Sequence, residues 1–511
     1  MRVIFVDVDT LRPDHLSVYG YSRPTTPNLG ELAQRGVVFD NYYCSDSPCA
    51  PSRAALTTQR FGVMTGVIGN AGESVHLRST RGMTPWADNT QPVIPLLGEH
   101  LYHNNFYTAS ISCFPDRHQA YWWTGNLREW IKPTLSRGDD EDAANVNRVA
   151  FDWIRRHAQE DEWFLHIHYW DPHIPYVEPK EWFESAAASG PAPKWPDQNT
   201  IDRHQEIYGP HTAVDLYEDD GSWRLPAAKS PNPVTMPDAI KTRQDFEHLI
   251  TGYDGAIMYW DYHFGQLVNL LTDLNLVEST AIIVSSDHGE AFGENGVYAD
   301  HAMANEAVHH IPLIIYWPGI TDHLDNSQRH SQTWAYNIDL GPTLCELLSI
   351  PVPRWWPGRS FAPALNGTRV DGWPYLVLSH GSYTYQRAVR TPHHLYIRTL
   401  HPGCFRIEPE QLYDMDRDPH LTENLVAHNS SIAQECRSHL EQWLGVYSAG
   451  PLSFGDPMQN RRYESPTEAF SAARYAERLR LTGREHLARE LEMRSKEPWP
   501  PFYHGDEKET R

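Results

Sequence analysis

The run from residue 3 to residue 8 has one polar member, Asp7, and stops at Asp9. An apolar run this short reads as a strand buried on both faces. Comparable runs recur at 37–39, 107–112, 163–168, 281–285 and 313–317. Helical patterns lie between several of them, clearest over 145–157 and 246–274, with a shorter one that Thr26-Pro27 opens and Gly36 closes. Buried strands that alternate with helices need helices on both sides of the sheet. The expected fold is therefore α/β, with a large, mostly parallel sheet sandwiched by helices.

At 511 residues the chain is too long for one ordinary domain. The alternating pattern fills 1–365, broken at 184–240 by a stretch rich in Pro, Gly, Ala, Ser and Asp that reads as an irregular surface insertion. A boundary is expected within 360–375. Beyond it, 366–450 reads as a smaller α+β unit, with short strands at 375–379, 388–390 and 394–398. The tail, 451–511, reads as helical over 465–494. It opens on a capping box at Ser465-Pro466-Thr467-Glu468 and is split at Gly483, and it is a candidate surface for homo-oligomer formation. The net charge of −23 argues against nucleic acid as a partner, since phosphate binding needs a basic surface. It leaves room for a small anion held in a local positive pocket. No stretch approaches a membrane span and no signal peptide is evident. The six scattered cysteines fit a reduced, cytoplasmic protein, and an exported chain already trimmed of its signal is the other reading.

Two constellations carry chemistry. In Cys49-Ala50-Pro51-Ser52-Arg53, Pro51 fits a first helical turn, which puts Cys49 at the positive end of a helix with Arg53 one turn along. A cysteine before a helix is also a common small core residue, but the Pro-Ser-Arg that follows suits a nucleophile beside an anion site. Second, Asp9 and Asp287 each end a strand run, and in parallel sheets the carboxyl ends of strands converge on ligands. His288 follows Asp287 directly. Two carboxylates and an imidazole suit one divalent cation. Asp7 lies on the same strand face as Asp9, either reaching the metal region or making buried hydrogen bonds.

Cys-x-Pro-Ser-Arg followed by Leu56-Thr57 resembles the signature of the type I sulfatases, of the alkaline phosphatase superfamily. Asp9-Thr10-Leu11-Arg12-Pro13-Asp14-His15 resembles that family's first metal loop, with Thr10 where many members carry a second aspartate. Ser286-Asp287-His288-Gly289-Glu290 resembles the second metal loop. The resemblance covers 3 to about 426 and implies an alkaline-phosphatase-like fold. It implies that a maturing enzyme oxidises Cys49 to formylglycine. The hydrated aldehyde then attacks sulfur, and its second hydroxyl expels sulfate. It further implies a cation held by Asp9, Asp287, His288 and the modified Cys49, calcium by resemblance, with magnesium and manganese as alternatives. Thr58-Gln59-Arg60 departs from the family's Gly-Arg pair, with Arg60 in the arginine's place. His173, in Pro172-His173-Ile174-Pro175, resembles the histidine that contacts sulfate. Arg117-His118 resembles a Lys-x-His pair at altered spacing. A sulfate-binding lysine usually near 300 is missing, and His301 is its expected substitute. His166 and His168 are expected to pack or to support the site from behind. The implied activity is hydrolysis of a sugar or aryl sulfate. The alternatives are a phosphonate or phosphate ester hydrolase of the same superfamily, and a non-catalytic binding protein that kept the fold.

Overall fold

The computed structural model describes residues 1–77, 95–134, 141–176, 178–216, 236–448, 455–461 and 472–496. Its principal sheet has eight strands: β1 (Arg2–Val8), β2 (Val37–Phe39), β4 (Tyr107–Ile111), β5 (Glu129–Ile131), β6 (Trp163–Tyr169), β7 (Thr280–Ser286), β8 (Leu313–Tyr316) and β9 (His330–Ser331). Their spatial order is β9-β2-β8-β7-β1-β6-β4-β5. The five strands from β7 to β5 run parallel, and β8 is antiparallel to both its neighbours. The helix Ala143–His157 and the long helix Arg243–Asp273 cover one face, and the helices that include Cys49–Thr58 and Leu340–Leu347 cover the other. The two covering helices begin slightly earlier than hydrophobic periodicity indicates, because Asp142 and Thr242 cap their free N–H groups.

The period of two along each strand sorts chemistry from core. In β1, Ile4, Val6 and Val8 face the long-helix core, while Val3 and Phe5 face the opposite one. Asp7 and Asp9 continue the Val3–Phe5 side. In β6, Phe164 shares that side and His166 and His168 continue it, with His166 opposite Phe5 and His168 opposite Asp7. In β7, Ala281 and Ile283 lie on it and Asp287 follows in phase. The acids and histidines therefore collect at the strand carboxyl ends, on the side that carries the Cys49 helix.

A second sheet has the order β13-β12-β11-β10-β3: β13 (Glu410–Asp414), β12 (His394–His401), β11 (Tyr385–Arg390), β10 (Leu376–His380) and β3 (Asp46–Ser47). The first four form an antiparallel meander, and β3 adds in parallel to β10 through Ser379↔Asp46 and His380↔Ser47. The second sheet thus takes its edge strand from the segment just before Cys49.

The described part of the 184–240 stretch, 184–216 and 236–240, holds more regular structure than its composition indicates. A helix, Lys180–Ala188, runs into it, and Asp197 caps a second, Gln198–His204. Thr212 then bridges to Val297 beside the second metal loop. Within the tail, Ala472–Leu481 and Glu485–Arg494 are separate helices with Gly483 at φ 78° between them; the capping box at 465–468 lies outside the described residues. The apolar side of these helices packs on Tyr208 and Cys404 of the same chain. Arg478 and Arg484 pair with the buried Asp215 at 2.8 and 2.6 Å, so the tail clamps the insertion. Among the described residues no helix is long and apolar enough to cross a membrane.

Candidate active site

Cys49 is the first residue of the helix Cys49–Thr58, and its side chain is buried. The segment is held from several directions. Asn70 Oδ1 accepts the Ala50 N–H at 2.9 Å, and its Nδ2 lies 3.6 Å from Cys49 Sγ. Ser52 Oγ donates to the Asp287 carbonyl at 2.6 Å. Ser47 Oγ lies 3.0 Å from His309 Nε2 and 2.8 Å from His380 Nδ1. Burial and Asp9 push the Cys49 thiol up to about 11 against the pull of His301, so the encoded cysteine is a neutral thiol at physiological pH.

Arg53, one turn along, is buried among three carboxylates. Its Nε is 2.8 Å from Asp7, and its Nη1 is 3.1 Å from Asp9 and 2.7 Å from Asp287. Phe114 lies beneath the guanidinium at 4.9 Å. Burial opposes ionisation of Asp7 and Asp9, but Arg53 outweighs it and holds both below the usual carboxylate range. At Asp287 burial wins: despite Arg53, its carboxyl sits well above that range, with Asp9 and Asp7 adding repulsion. His166 Nε2 lies 3.2 Å from Asp7 and His168 Nε2 3.2 Å from Asp9, and Ser110 and Ser112 hold the opposite ring nitrogens. Asp7 therefore anchors Arg53, and the two β6 histidines support the aspartates from behind.

Ligand atoms of Asp9, Cys49, Asp287 and His288 all lie within 4.8 Å of one another. His288 Nε2 is 3.2 Å from both Cys49 Sγ and Asp287 Oδ2. Asp9 Oδ1 and the Thr10 hydroxyl are buried with no hydrogen-bond partner among the described residues, and Thr10 takes a positive φ of 56°, with its N–H donating to Asp287 Oδ1 at an N···O distance of 3.3 Å. One guanidinium cannot neutralise both ionised Asp7 and Asp9, and it leaves Asp287 unable to ionise beside them. The charge surplus and the unpartnered oxygens together fit a divalent cation, and the two carboxylates suit a hard one.

A second group meets Cys49 from the other side: ligand atoms of Cys49, His173 and His301 also lie within 4.8 Å of one another. The His301 ring packs 4.2 Å from His288 and 5.8 Å from His173. Burial pulls the His301 imidazolium down, but Asp300, Cys49 and Glu290 outweigh it and keep the ring protonated well above the usual histidine range. Burial drives His173 down to about 4 and His118 down to about 3, so both are neutral rings. His118 sits close enough to Arg53 and Asp9 to feel their charges, and its Nε2 is buried without a hydrogen-bond partner among the described residues. Arg117 points elsewhere. It pairs with Glu141 at 2.8 Å and lies over Trp170 at 3.4 Å, and the His173 ring stacks on the same tryptophan at 3.7 Å. Arg117 thus braces the His173 loop and makes no described contact with Cys49. Arg60 follows the left-handed helix end at Gln59 (φ 55°). Its guanidinium is buried with no acidic partner among the described residues, and burial lowers it to about 10.

Sequence reasoning left Asn70, Glu290 and Asp300 unassigned. Glu290 stood inside a quoted motif and Asp300 beside His301. Asn70 offers no local signal. It reaches Cys49 only because the chain turns back after the Cys49 helix.

Comparison with known proteins decides the family. The Sulfatase family profile matches residues 2–350, and the profile for the C-terminal region of N-sulphoglucosamine sulphohydrolase matches 293–446. The chain belongs to the sulfatase family. It is 26% identical to the choline-sulfatase of Rhizobium meliloti over 430 residues, 78% of this chain and 77% of the relative. It is also 26% identical to the iduronate 2-sulfatase of Homo sapiens over 404 residues, 71% of each. Among solved structures, a protein in complex with its substrate D-glucosamine-2-N,6-O-disulfate superposes with a TM-score of 0.67 and 18% identity, covering 88% of this chain and 98% of that one. The shared fold is the alkaline-phosphatase-like α/β sheet, and as a sulfatase the protein is a sulfuric ester hydrolase.

Proposed function

We propose that this sulfatase cleaves the sulfate ester of a carbohydrate, with formylglycine made from Cys49 by a maturing enzyme as its nucleophile. The observation that carries this reading is the double membership of Cys49. Its Sγ belongs both to the acid cluster with Asp9, Asp287 and His288 and to the histidine cluster with His173 and His301. A group at that position faces a cation site on one side and hydrogen-bond donors on the other, as sulfuryl transfer needs. Asp9, Asp287, His288 and the modified Cys49 would hold one divalent cation, with calcium favoured, which would supply charge stabilisation to the sulfate oxygens. Arg53 keeps Asp7 and Asp9 ionised and aligns Asp287, whose ionisation the cation would complete. His173, whose Nδ1 already donates to the Ile174 carbonyl, donates to a sulfate oxygen from Nε2 once the bound anion draws a proton onto the ring, and neutral His118 accepts a proton as the diol collapses. Protonated His301 hands a proton to the departing alkoxide. Water is consumed, and the products are the free hydroxyl and sulfate. Carbohydrate is favoured because one relative is named for iduronate and one solved structure holds a glucosamine disulfate.

The test uses protein whose Cys49 peptide is shown by mass spectrometry to carry formylglycine. It should hydrolyse nitrophenyl sulfate and at least one sulfated sugar, and nitrophenyl phosphate or phosphonate far more slowly. Cys49→Ser should lose most activity, because serine offers no aldehyde. Faster phosphonate or phosphate hydrolysis would move the assignment to that ester class, and full activity of Cys49→Ser would remove formylglycine from it.

A further inference from the structure

We propose that Glu290 is a positioning residue that holds the His301 ring against Cys49; the inference rests on the role just given to His301. Glu290 is buried, and its backbone is pinned because its carbonyl accepts from Arg12 Nη1 at 2.8 Å. Arg12 is itself fixed by Glu294 at 3.0 Å and Asp14 at 2.6 Å. From this fixed base, Glu290 Oε1 lies 3.4 Å from His301 Nδ1, and Oε2 has no hydrogen-bond partner among the described residues. The main chain of His301 is secured separately, by Asp300 Oδ1 accepting its N–H at 2.6 Å.

An imidazole needs such a partner. Its terminal torsion is broad and close to two-fold, so the neighbouring rings of His288 and His173 restrict its plane without choosing which nitrogen faces Cys49. A carboxylate on one nitrogen makes that choice and leaves the other for the nucleophile and the leaving oxygen. Glu290 touches neither Cys49 nor any group assigned to the sulfate, so its effect on the reaction passes through His301.

The test is a double-mutant cycle in formylglycine-verified protein, using Glu290→Ala, Glu290→Gln, His301→Ala and the Glu290→Ala/His301→Ala pair. Thermal melts confirm that each variant folds. Glu290→Ala should lower kcat on a sugar sulfate by about 10–100-fold, the usual loss when a functional histidine loses its orienting partner, while KM moves much less. Nitrophenyl sulfate, whose leaving group barely needs a proton, should suffer less. Glu290→Gln keeps an acceptor oxygen and should recover most of kcat. The double variant should be no worse than His301→Ala alone. Additive losses in the double variant, or an unchanged kcat in Glu290→Ala while His301→Ala is impaired, would overturn the proposal and leave the function standing. If no sulfate ester is cleaved by the parent protein, a crystal structure of Glu290→Ala still decides: His301 turned away from Cys49 supports the positioning role, and an unmoved ring refutes it.

Discussion

Arg53→Met removes the one cation from a buried cluster of three carboxylates while roughly keeping side-chain length. The guanidinium lies 2.7–3.1 Å from Asp7, Asp9 and Asp287, and all four groups are buried. Removing one partner of a buried pair costs about 3–5 kcal/mol. The three contacts do not add, because carboxyls left without Arg53 take up protons. The expected loss in chelator at pH 8 is therefore about 3–5 kcal/mol, on the order of 5–10 °C in Tm for a large domain. The pH dependence has a defined sign. Arg53 holds Asp7 and Asp9 below their ordinary value, so their contribution is present above that value and is lost as the pH falls through the depressed one. Without Arg53 the same carboxyls titrate higher, and the deficit should be largest at pH 8 and shrink towards pH 5. Thermal melts of both proteins across that range in EDTA, repeated with calcium, make the assay, and calcium should restore part of the loss. A Tm within about one degree of the parent at pH 8, or a deficit that grows on acidification, would refute the charge balance drawn for this site.

Asp287→Asn should weaken calcium-dependent stabilisation and activity together, read as the calcium concentration needed to raise Tm and to restore turnover after chelation; unchanged activity after thorough chelation would remove the cation from the site. Glu178 is buried with no hydrogen-bond partner on another described residue, and burial raises its carboxyl to about 8. A raised carboxyl is neutral and harmless at low pH and costs stability as the pH climbs towards 8, so Glu178→Gln should gain about 1–3 kcal/mol at pH 8.5 and little at pH 5. Removing the tail from residue 455 onwards should destabilise the protein, because it strips Arg478, Arg484 and Tyr475 from the buried Asp215. Asp215→Asn in the full chain should reproduce part of that Tm loss, and an unchanged Tm in both would mean that the clamp carries no weight.

What the sequence makes legible is what is local. The strand runs and their period of two announce the sheet and put Asp7 and Asp9 on one face, and the five residues from Cys49 to Arg53 announce a helix start with Cys49 and Arg53 one turn apart. His301 could be found because a short excursion returns the chain to the metal loop. Non-local pairing stays hidden. The two residues of β3 carry no strand signal of their own and become a strand only by pairing with 379–380. Arg117-His118 reads as a counterpart of a Lys-x-His pair, and only the fold shows that Arg117 pairs with Glu141 and lies over Trp170. The helix described wholly within 184–240, Gln198–His204, is short and owes its start to Asp197, which Pro- and Ala-rich composition obscures.

The pairing of β3 with β10 also has a consequence in time. In the finished protein Cys49 is 1% exposed, held next to a strand whose partner is synthesised on the order of 330 residues later. At ribosomal rates of about 5–20 residues per second, that delay lasts roughly 15–70 seconds. Through that interval the peptide carrying Cys49 lacks its sheet neighbour and the His380 that fixes Ser47. Any enzyme that converts Cys49 has this window in which to reach it, and slower translation between the two strands would lengthen the window without changing a single residue of the site.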